Sequence, residues 1–225
     1  MRILAIDTST QILSVALSDD NKIIGKFHAS EQARHLSGLI PAVDVVLKEA
    51  GLVLEDVDVI ALSIGPGSFT GLRIGVATCK AISLAIDIPL ISVPTLDVIA
   101  HNFIDEKEHI LCPVLDAKKN KVYACFYKCV KGNRLRRITD YLLTDIEDVL
   151  NRVKKPTVFF GDAVNLYRDK FKSIPGAILS VRDWHPNAEF VALQGYDKAI
   201  AGRFIKADKL VPMYLHSMYC QVKNK

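Results

Sequence analysis

DVIALSIGPGSFTGLRIG (residues 58–75) decides the fold of this chain. Its first seven residues form a near-continuous apolar run, as expected of a strand covered on both faces of a sheet. Gly65 and Gly67 tolerate backbone angles that other residues resist, and Pro66 stiffens the turn between them. Ser68 or Thr70 can then cap a helix running from about Phe69 to Ile86. A buried strand that turns through glycines into an apolar helix is the working unit of an α/β sheet.

Working outward, RILAI (2–6), SVALS (14–18) and KIIGKFHA (22–29) read as three strands joined by short polar turns, an antiparallel meander. Leu36, Leu39, Ile40, Val43, Val46, Leu47 and Ala50 then recur at helical spacing, and Gly51 ends the run. Downstream, PLISV (89–93) is another buried strand, and a short helix follows Pro94. The first hundred residues thus spell β-β-β-α-β-α-β-α. The remainder repeats the rhythm. ILCPVLDA (110–117), KVYACFYK (121–128) and the Arg137–Leu143 region are expected strands. A helix near 145–154, a strand TVFFG (157–161), a helix near 163–172, a strand AILSV (177–181) and a last helix over 187–203 complete it. Two lobes are therefore expected, residues 1–103 and 104–225, the second carrying the terminal helix and tail.

The composition fits a packed protein: half of the 225 residues are apolar. No apolar run is read as long enough to span a bilayer, and MRILAIDTST lacks the pattern of a signal peptide, so a soluble, cytoplasmic protein is expected. Cys79, Cys112, Cys125, Cys129 and Cys220 are odd in number and irregularly spaced, which argues against a disulfide framework and for a reducing compartment. Cys125 and Cys129 have the spacing of one strand face rather than of a zinc knuckle. The net charge of +4 hides an asymmetry: residues 1–100 hold 7 Lys/Arg against 11 Asp/Glu, and residues 101–225 hold 22 against 14. A basic half can face nucleic acid or an acidic protein, or be ordinary surface.

Two stretches can carry chemistry. A Gly-rich approach to a helix N-terminus offers backbone N–H groups to phosphate, yet the same string also makes a tight turn with no ligand. AIDTST (5–10) puts Asp7 at a strand end with Thr8 and Ser9 behind it, suited to a metal-held phosphate or to a self-satisfied turn. Asp7, Thr8, Ser9, Gly65, Gly67 and Ser68 are thus the candidate nucleotide or phosphate residues. The helix over 69–86 is apolar on nearly all sides, with Arg73 and Lys80 its charges after Leu72, and Gly71 and Gly75 form a smooth strip. Either it is sandwiched within the chain or one face awaits a partner.

AIDTST, RHLSGLIP (34–41), GPGSFTGLRIG, PLISVPTLD and DAKKNKVY (116–123) together resemble the TsaB family, in the family's order over roughly the first 125 residues. VPMYLHSMY (211–219) is similar to the family's Pro-x-Tyr-Leu ending. Lys118 stands where the family usually has Arg, and Lys121 where an acidic residue is frequent. The resemblance implies an α/β, actin-like ATPase (ASKHA) fold of two related lobes with mixed sheets. It implies a non-catalytic activator subunit that heterodimerises with the catalytic subunit TsaD for threonylcarbamoyl transfer to adenosine 37 of tRNA, with the ATPase TsaE as a further partner. Transfer RNA is met through the complex, and a homodimer of the isolated chain is also open. TsaD carries a His-x-x-x-His metal pair just after the strand matching PLISV; Thr95 and Ile99 fall at those places, so no metal site is expected here. The expected partner interface is Leu36, Leu39, Ile40, Gly71, Ile74, Gly75, Thr78 and Ile82, with a charge at Gly75 or Ala81 breaking pairing but not the fold. No cofactor is required of the chain alone, and ATP or ADP would sit at a subunit interface.

Two enzyme readings compete. A glycoprotease-like metallopeptidase is disfavoured because His28, His35, His101, His109, His185 and His216 form no metal-binding pattern and no G-x-S-x-G elbow is present. A small-molecule kinase of the same fold needs carboxylate-held magnesium and a phosphate cradle from both lobes. Asp116 and Gly161-Asp162 are the second lobe's modest answer to Asp7 and GPGS.

Overall fold

A computed structural model describes residues 1–29, 38–132 and 134–215. Leu36, His35, His216 and Cys220, and the tail beyond residue 215, lie outside the described residues. The chain divides into two compact units, Met1–Val98 with Pro186–Met213, and Ile99–His185.

The first unit is built on a five-stranded sheet in the order β3-β2-β1-β4-β5. Strands β1 (Arg2–Asp7), β2 (Ser14–Asp19) and β3 (Lys22–His28) form the expected antiparallel meander, and β4 (Val59–Ser63) and β5 (Leu90–Val93) add in parallel. β1 and β4 are central, so both their faces must be covered, which explains runs without polar alternation. On one face Leu4, Ile6, Ile60 and Leu62 join Leu39, Val43 and Val46 of α1 (Leu39–Glu49) and Val76, Cys79 and Ile82 of α2 (Phe69–Ile86). On the other, Ile3, Ala5, Ala61 and Ile91 meet Ala188, Val191 and Ala192 of α7 (Ala188–Ile200).

That last helix corrects the expected boundary, which gave everything from residue 104 onward to the second lobe. α7 packs on β1, β2 and β5, and its Gly195 lets the backbone approach Ala61 closely, a Cβ there falling 2.7 Å from the Ala61 Cβ. The segment beyond it seals the sheet edge, Ile205 N–H donating to the Leu90 carbonyl at 2.8 Å and Met213 N–H to that of Ile64 at 2.7 Å. Small residues on α7 permit such docking, but nothing local says which sheet receives them.

The second unit repeats the plan. Its order β10-β7-β6-β11-β12 matches that of the first sheet strand for strand, with β6 (Ile110–Asp116) in the place of β1, β11 (Thr157–Phe160) in that of β4 and β12 (Ala177–Leu179) in that of β5. Two expected strands are each split. β7 (Val122–Ala124) and β8 (Tyr127–Val130) part at Cys125-Phe126, and β9 (Arg134–Arg137) and β10 (Leu142–Thr144) part at Ile138–Tyr141. At the break Phe126 bonds locally, its N–H donating to Thr139 Oγ1 and its carbonyl accepting from Ile138 N–H, while the register against β6 is the same on both sides. Around Phe159, Phe126 and Phe171 the core takes in α4 (Ile146–Asn151), α5 (Asp162–Leu166) and α6 (Arg168–Lys172); the last two replace one expected helix. α3 (Thr95–His101) follows β5. The mixed sheets and duplicated plan are those of the actin-like ATPase fold.

One expectation about membranes needs correcting. α2 is long and apolar enough to cross a bilayer by length and composition, and it is the one such helix among the described residues. Its Leu72, Val76, Cys79 and Ile82 are instead built into the first core.

Candidate functional site

The β1–β2 turn and the start of α2 are locked together. Ser68 N–H donates to the Ser9 carbonyl at 2.7 Å, and Thr8 Oγ1 donates to the Gly71 carbonyl at 2.9 Å. Three glycines make this approach possible. A Cβ at Gly67 would lie 2.2 Å from Ser9 O, one at Gly71 2.0 Å from Thr8 O, and one at Gly75 2.3 Å from Thr8 Oγ1. The spacing of four puts Gly71 and Gly75 on one face of the helix, and Gly67 lies in the turn just before its cap. Of the two proposed caps, Ser68 is the one used: its hydroxyl accepts from Gly71 N–H at 3.3 Å.

Asp7, Thr8 and Ser9 are fully buried behind this junction. Asp7 Oδ1 accepts from Ser9 N–H at 2.9 Å and from the Ser9 hydroxyl at 2.8 Å, the self-satisfied turn, while Oδ2 has no hydrogen-bond partner. Burial raises the carboxyl above its ordinary range, against the weaker pull of the Ser63 hydroxyl, Ser9 and His28. The Ser63 hydroxyl favours the anion. It pairs with Thr95 Oγ1 at 2.8 Å, which also accepts from Gly65 N–H at 3.0 Å. The cradle thus brings Asp7, Thr8, Ser9, Gly65, Gly67 and Ser68 together, but as a packed junction. Two of its N–H donors, Ser68 and Gly71, already have partners inside the chain.

The expected interface residues divide. Gly71, Gly75, Ile82 and Leu39 are buried within the first unit, and Ile74 and Thr78 are half-buried. The glycine strip faces inward, because a helix seated on a turn needs its smallest residues at the contact. This overturns Gly71, Gly75, Leu39 and Ile82 as surface positions. What α2 leaves exposed is Phe69, Thr70, Arg73, Ala77, Ala81, Leu84 and Ala85, and α1 leaves Ile40 and Val45 beside Pro41, Asp44, Lys48 and Glu49. Phe69 carries the Arg73 guanidinium 3.7 Å over its ring. The face opposite the glycines was legible from the same helical period, had the buried side been assigned first.

Comparison with known proteins bears on this arrangement. A family model described as TsaD, tRNA N6-adenosine threonylcarbamoyltransferase, matches residues 22–193. The tRNA threonylcarbamoyladenosine biosynthesis protein TsaB of Buchnera aphidicola (subspecies Schizaphis graminum) is 34% identical over 167 residues, covering 71% of this chain and 78% of that protein. The chain belongs to the TsaB branch of the TsaD family. TsaB of Bacillus subtilis is 28% identical over 228 residues, 99% of this chain and 97% of that one. The solved structure of YeaZ from Pseudomonas aeruginosa superposes with a TM-score of 0.79 at 27% identity, covering 95% of this chain and all of the other.

Thr95 and Ile99, the two places that the resemblance sets against a histidine pair, are both buried in this TsaB-family chain. Thr95 spends its hydroxyl on Ser63 and Gly65, and Ile99 is fully buried. In the second unit, Asp116 and Asp162 stand at the ends of β6 and β11, where Asp7 and the Gly-rich turn stand in the first. Asp116 N–H donates to Asp162 Oδ1 at 2.8 Å, and Lys118 Nζ reaches Asp116 Oδ2 at 2.6 Å. Partial burial works to raise the Asp116 carboxyl, but the Lys118 ammonium and N–H outweigh it and hold it low. Burial, helped by the Asp116 charge, raises that of Asp162. This pairing was legible only once the two halves could be laid over each other.

Proposed function

We propose that this chain serves tRNA threonylcarbamoyladenosine biosynthesis as the non-catalytic partner of TsaD, pairing with it through the outer faces of α1 and α2. The observation that carries the reading is the apolar surface those helices leave in water: Leu84 is 75% exposed, Ile40 57%, Val45 41% and Phe69 40%. Both helices cap one core, so their inner faces are satisfied and these side chains contribute nothing to it. Apolar surface of this kind on a helix pair marks an interaction site. Ala77, Ala81 and Ala85 on the same face would let a partner helix approach closely.

The non-catalytic half of the reading is supported by Thr95 and Ile99, neither of which can replace an imidazole pair. The chain needs no cofactor of its own. ATP or ADP, if held at a subunit interface, would depend on groups from the partner, since Ser68 N–H and Gly71 N–H are committed and Asp7 is held toward its neutral acid. TsaE and a source of threonylcarbamoyl-adenylate would complete the cytoplasmic reaction, with tRNA as substrate of the assembly.

Ala81→Glu tests the interface, because Ala81 is exposed and its replacement leaves the core untouched. Copurification with TsaD should be lost while the isolated variant melts with its parent; pairing that survives would refute the proposed face. A charge at Gly75 is not the equivalent test, since that residue lies against Thr8. Reconstituted modification should also require this chain, and full activity in its absence would remove the function proposed.

A further inference from the structure

The second unit carries a basic ribbon that the pairing surface does not use. β8 and β9 form an antiparallel hairpin whose register sets Lys128 directly opposite Arg136 and Val130 opposite Arg134. Directly opposite residues point to the same face of a sheet. On the inner face Tyr127 and Cys129 are buried. On the outer face Lys128, Arg134 and Arg136 are exposed, and Lys131 is exposed in the turn between the strands.

Like charges facing each other across a strand pair disfavour the hairpin, and a carboxylate at either place would relieve them. None is supplied. Among the described residues no carboxylate forms an ion pair with Lys128, Lys131, Arg134 or Arg136. The contrast with their neighbours is direct: Lys121 pairs with Asp145 at 2.8 Å, and Arg137, on the inner face, lies 3.9 Å from Asp140 and 4.4 Å over the Tyr141 ring. Cations held close together without counter-charges are arranged for an anion from outside.

We propose that the outer face of the β8–β9 ribbon is a contact surface for the RNA phosphate backbone. Alternate residues along a strand are about 6.7 Å apart and opposite ones about 5 Å, so Lys128, Arg134 and Arg136 make a compact triangle of positive charge. No aromatic side chain shares the outer face, so the surface has no platform for stacking bases and its contacts are independent of sequence. The choice of RNA over an acidic protein rests on the reading of this chain as part of a tRNA-modifying assembly.

The test measures binding of an unmodified tRNA transcript to the full chain alone, between 50 and 200 mM KCl. Three phosphate contacts give a slope of about −2.1 to −2.7 in log K against log salt, or about 20- to 40-fold weaker binding across that range. The triple variant Lys128→Ala, Arg134→Ala, Arg136→Ala should lose about 2.1 to 2.7 units of that slope and most of the affinity at low salt. Its melting temperature should not fall, since like-charge opposition is removed. Equal binding by parent and variant would overturn the proposal. So would competition by polyglutamate as effective as by a second tRNA, which would mark an acidic protein as the occupant. A variant that keeps RNA affinity but self-associates would show instead that the cations guard the free edge of β9. Copurification of the triple variant with TsaD, and reconstitution with the chain omitted, test the assembly reading separately, because RNA binding is read without the partner.

Discussion

Gly71→Ala is the substitution that most directly tests how α2 is seated. In an exposed helix interior this change would add stability, about 0.5–1 kcal/mol from reduced backbone freedom. Here the new Cβ would lie 2.0 Å from the Thr8 carbonyl oxygen, a backbone atom that cannot rotate away. An ordinary carbon–oxygen contact is about 3.3–3.6 Å, so helix and turn must part by more than about 1 Å. That movement stretches the Thr8 Oγ1 to Gly71 O bond (2.9 Å) and the Ser68 N to Ser9 O bond (2.7 Å). Overpacking costs about 1–3 kcal/mol and each hydrogen bond about 1 kcal/mol, and the gain in helix propensity offsets about 0.5–1 kcal/mol, so a net loss of about 2–4 kcal/mol is expected. For a chain of this size that is a fall of about 4–16 °C in melting temperature. Scanning calorimetry of parent and variant, with circular dichroism to confirm the fold of each, measures it. A Gly71→Ala variant as stable as its parent, or more so, would refute the seating of α2 against the β1–β2 turn.

Further expectations follow from other contacts. Gly161 is held at φ +118° with a Cβ position 2.2 Å from Val114 O, so Gly161→Ala should destabilise by about 3 kcal/mol or more in urea titration. Because burial raises the folded-state pKa of Asp7 above its ordinary 3.8, the stability it contributes is whole below that value and is lost as pH rises through the folded one. The melting temperature of Asp7→Asn, relative to the parent, should therefore climb as pH rises above about 4, and a difference independent of pH would contradict the buried acid. The Cys79 thiol is pushed up to about 12 by complete burial, so Cys79 should resist alkylation in the native chain and react on unfolding, as read by peptide mass mapping.

Much of the fold was legible because both sheets are central layers. Runs such as Leu4–Ile6 and Val59–Leu62 announce strands covered on two sides, and the GPG break fixes where α2 begins. The hairpin of the second unit was less legible, since the strand is interrupted at Cys125-Phe126, where no Gly or Pro marks a break. The site was half legible. The six cradle residues do converge, yet their convergence makes a junction already filled by hydrogen bonds, and sequence cannot tell a cradle from a joint.

The block GPGSFTGLRIG by itself determined a turn, a cap and a helix, because glycine freedom, a Ser at the cap and apolar continuity are local properties. Only the tertiary structure decided which way that helix faces. Gly67, Gly71 and Gly75 meet the backbone and side chain of Thr8 and Ser9, some sixty residues away in sequence, and that contact turns the glycine strip inward and leaves Ala77, Ala81 and Leu84 outward. A smooth strip suits either a partner or the chain's own core, and the choice depends on what the fold brings within about 3 Å of it.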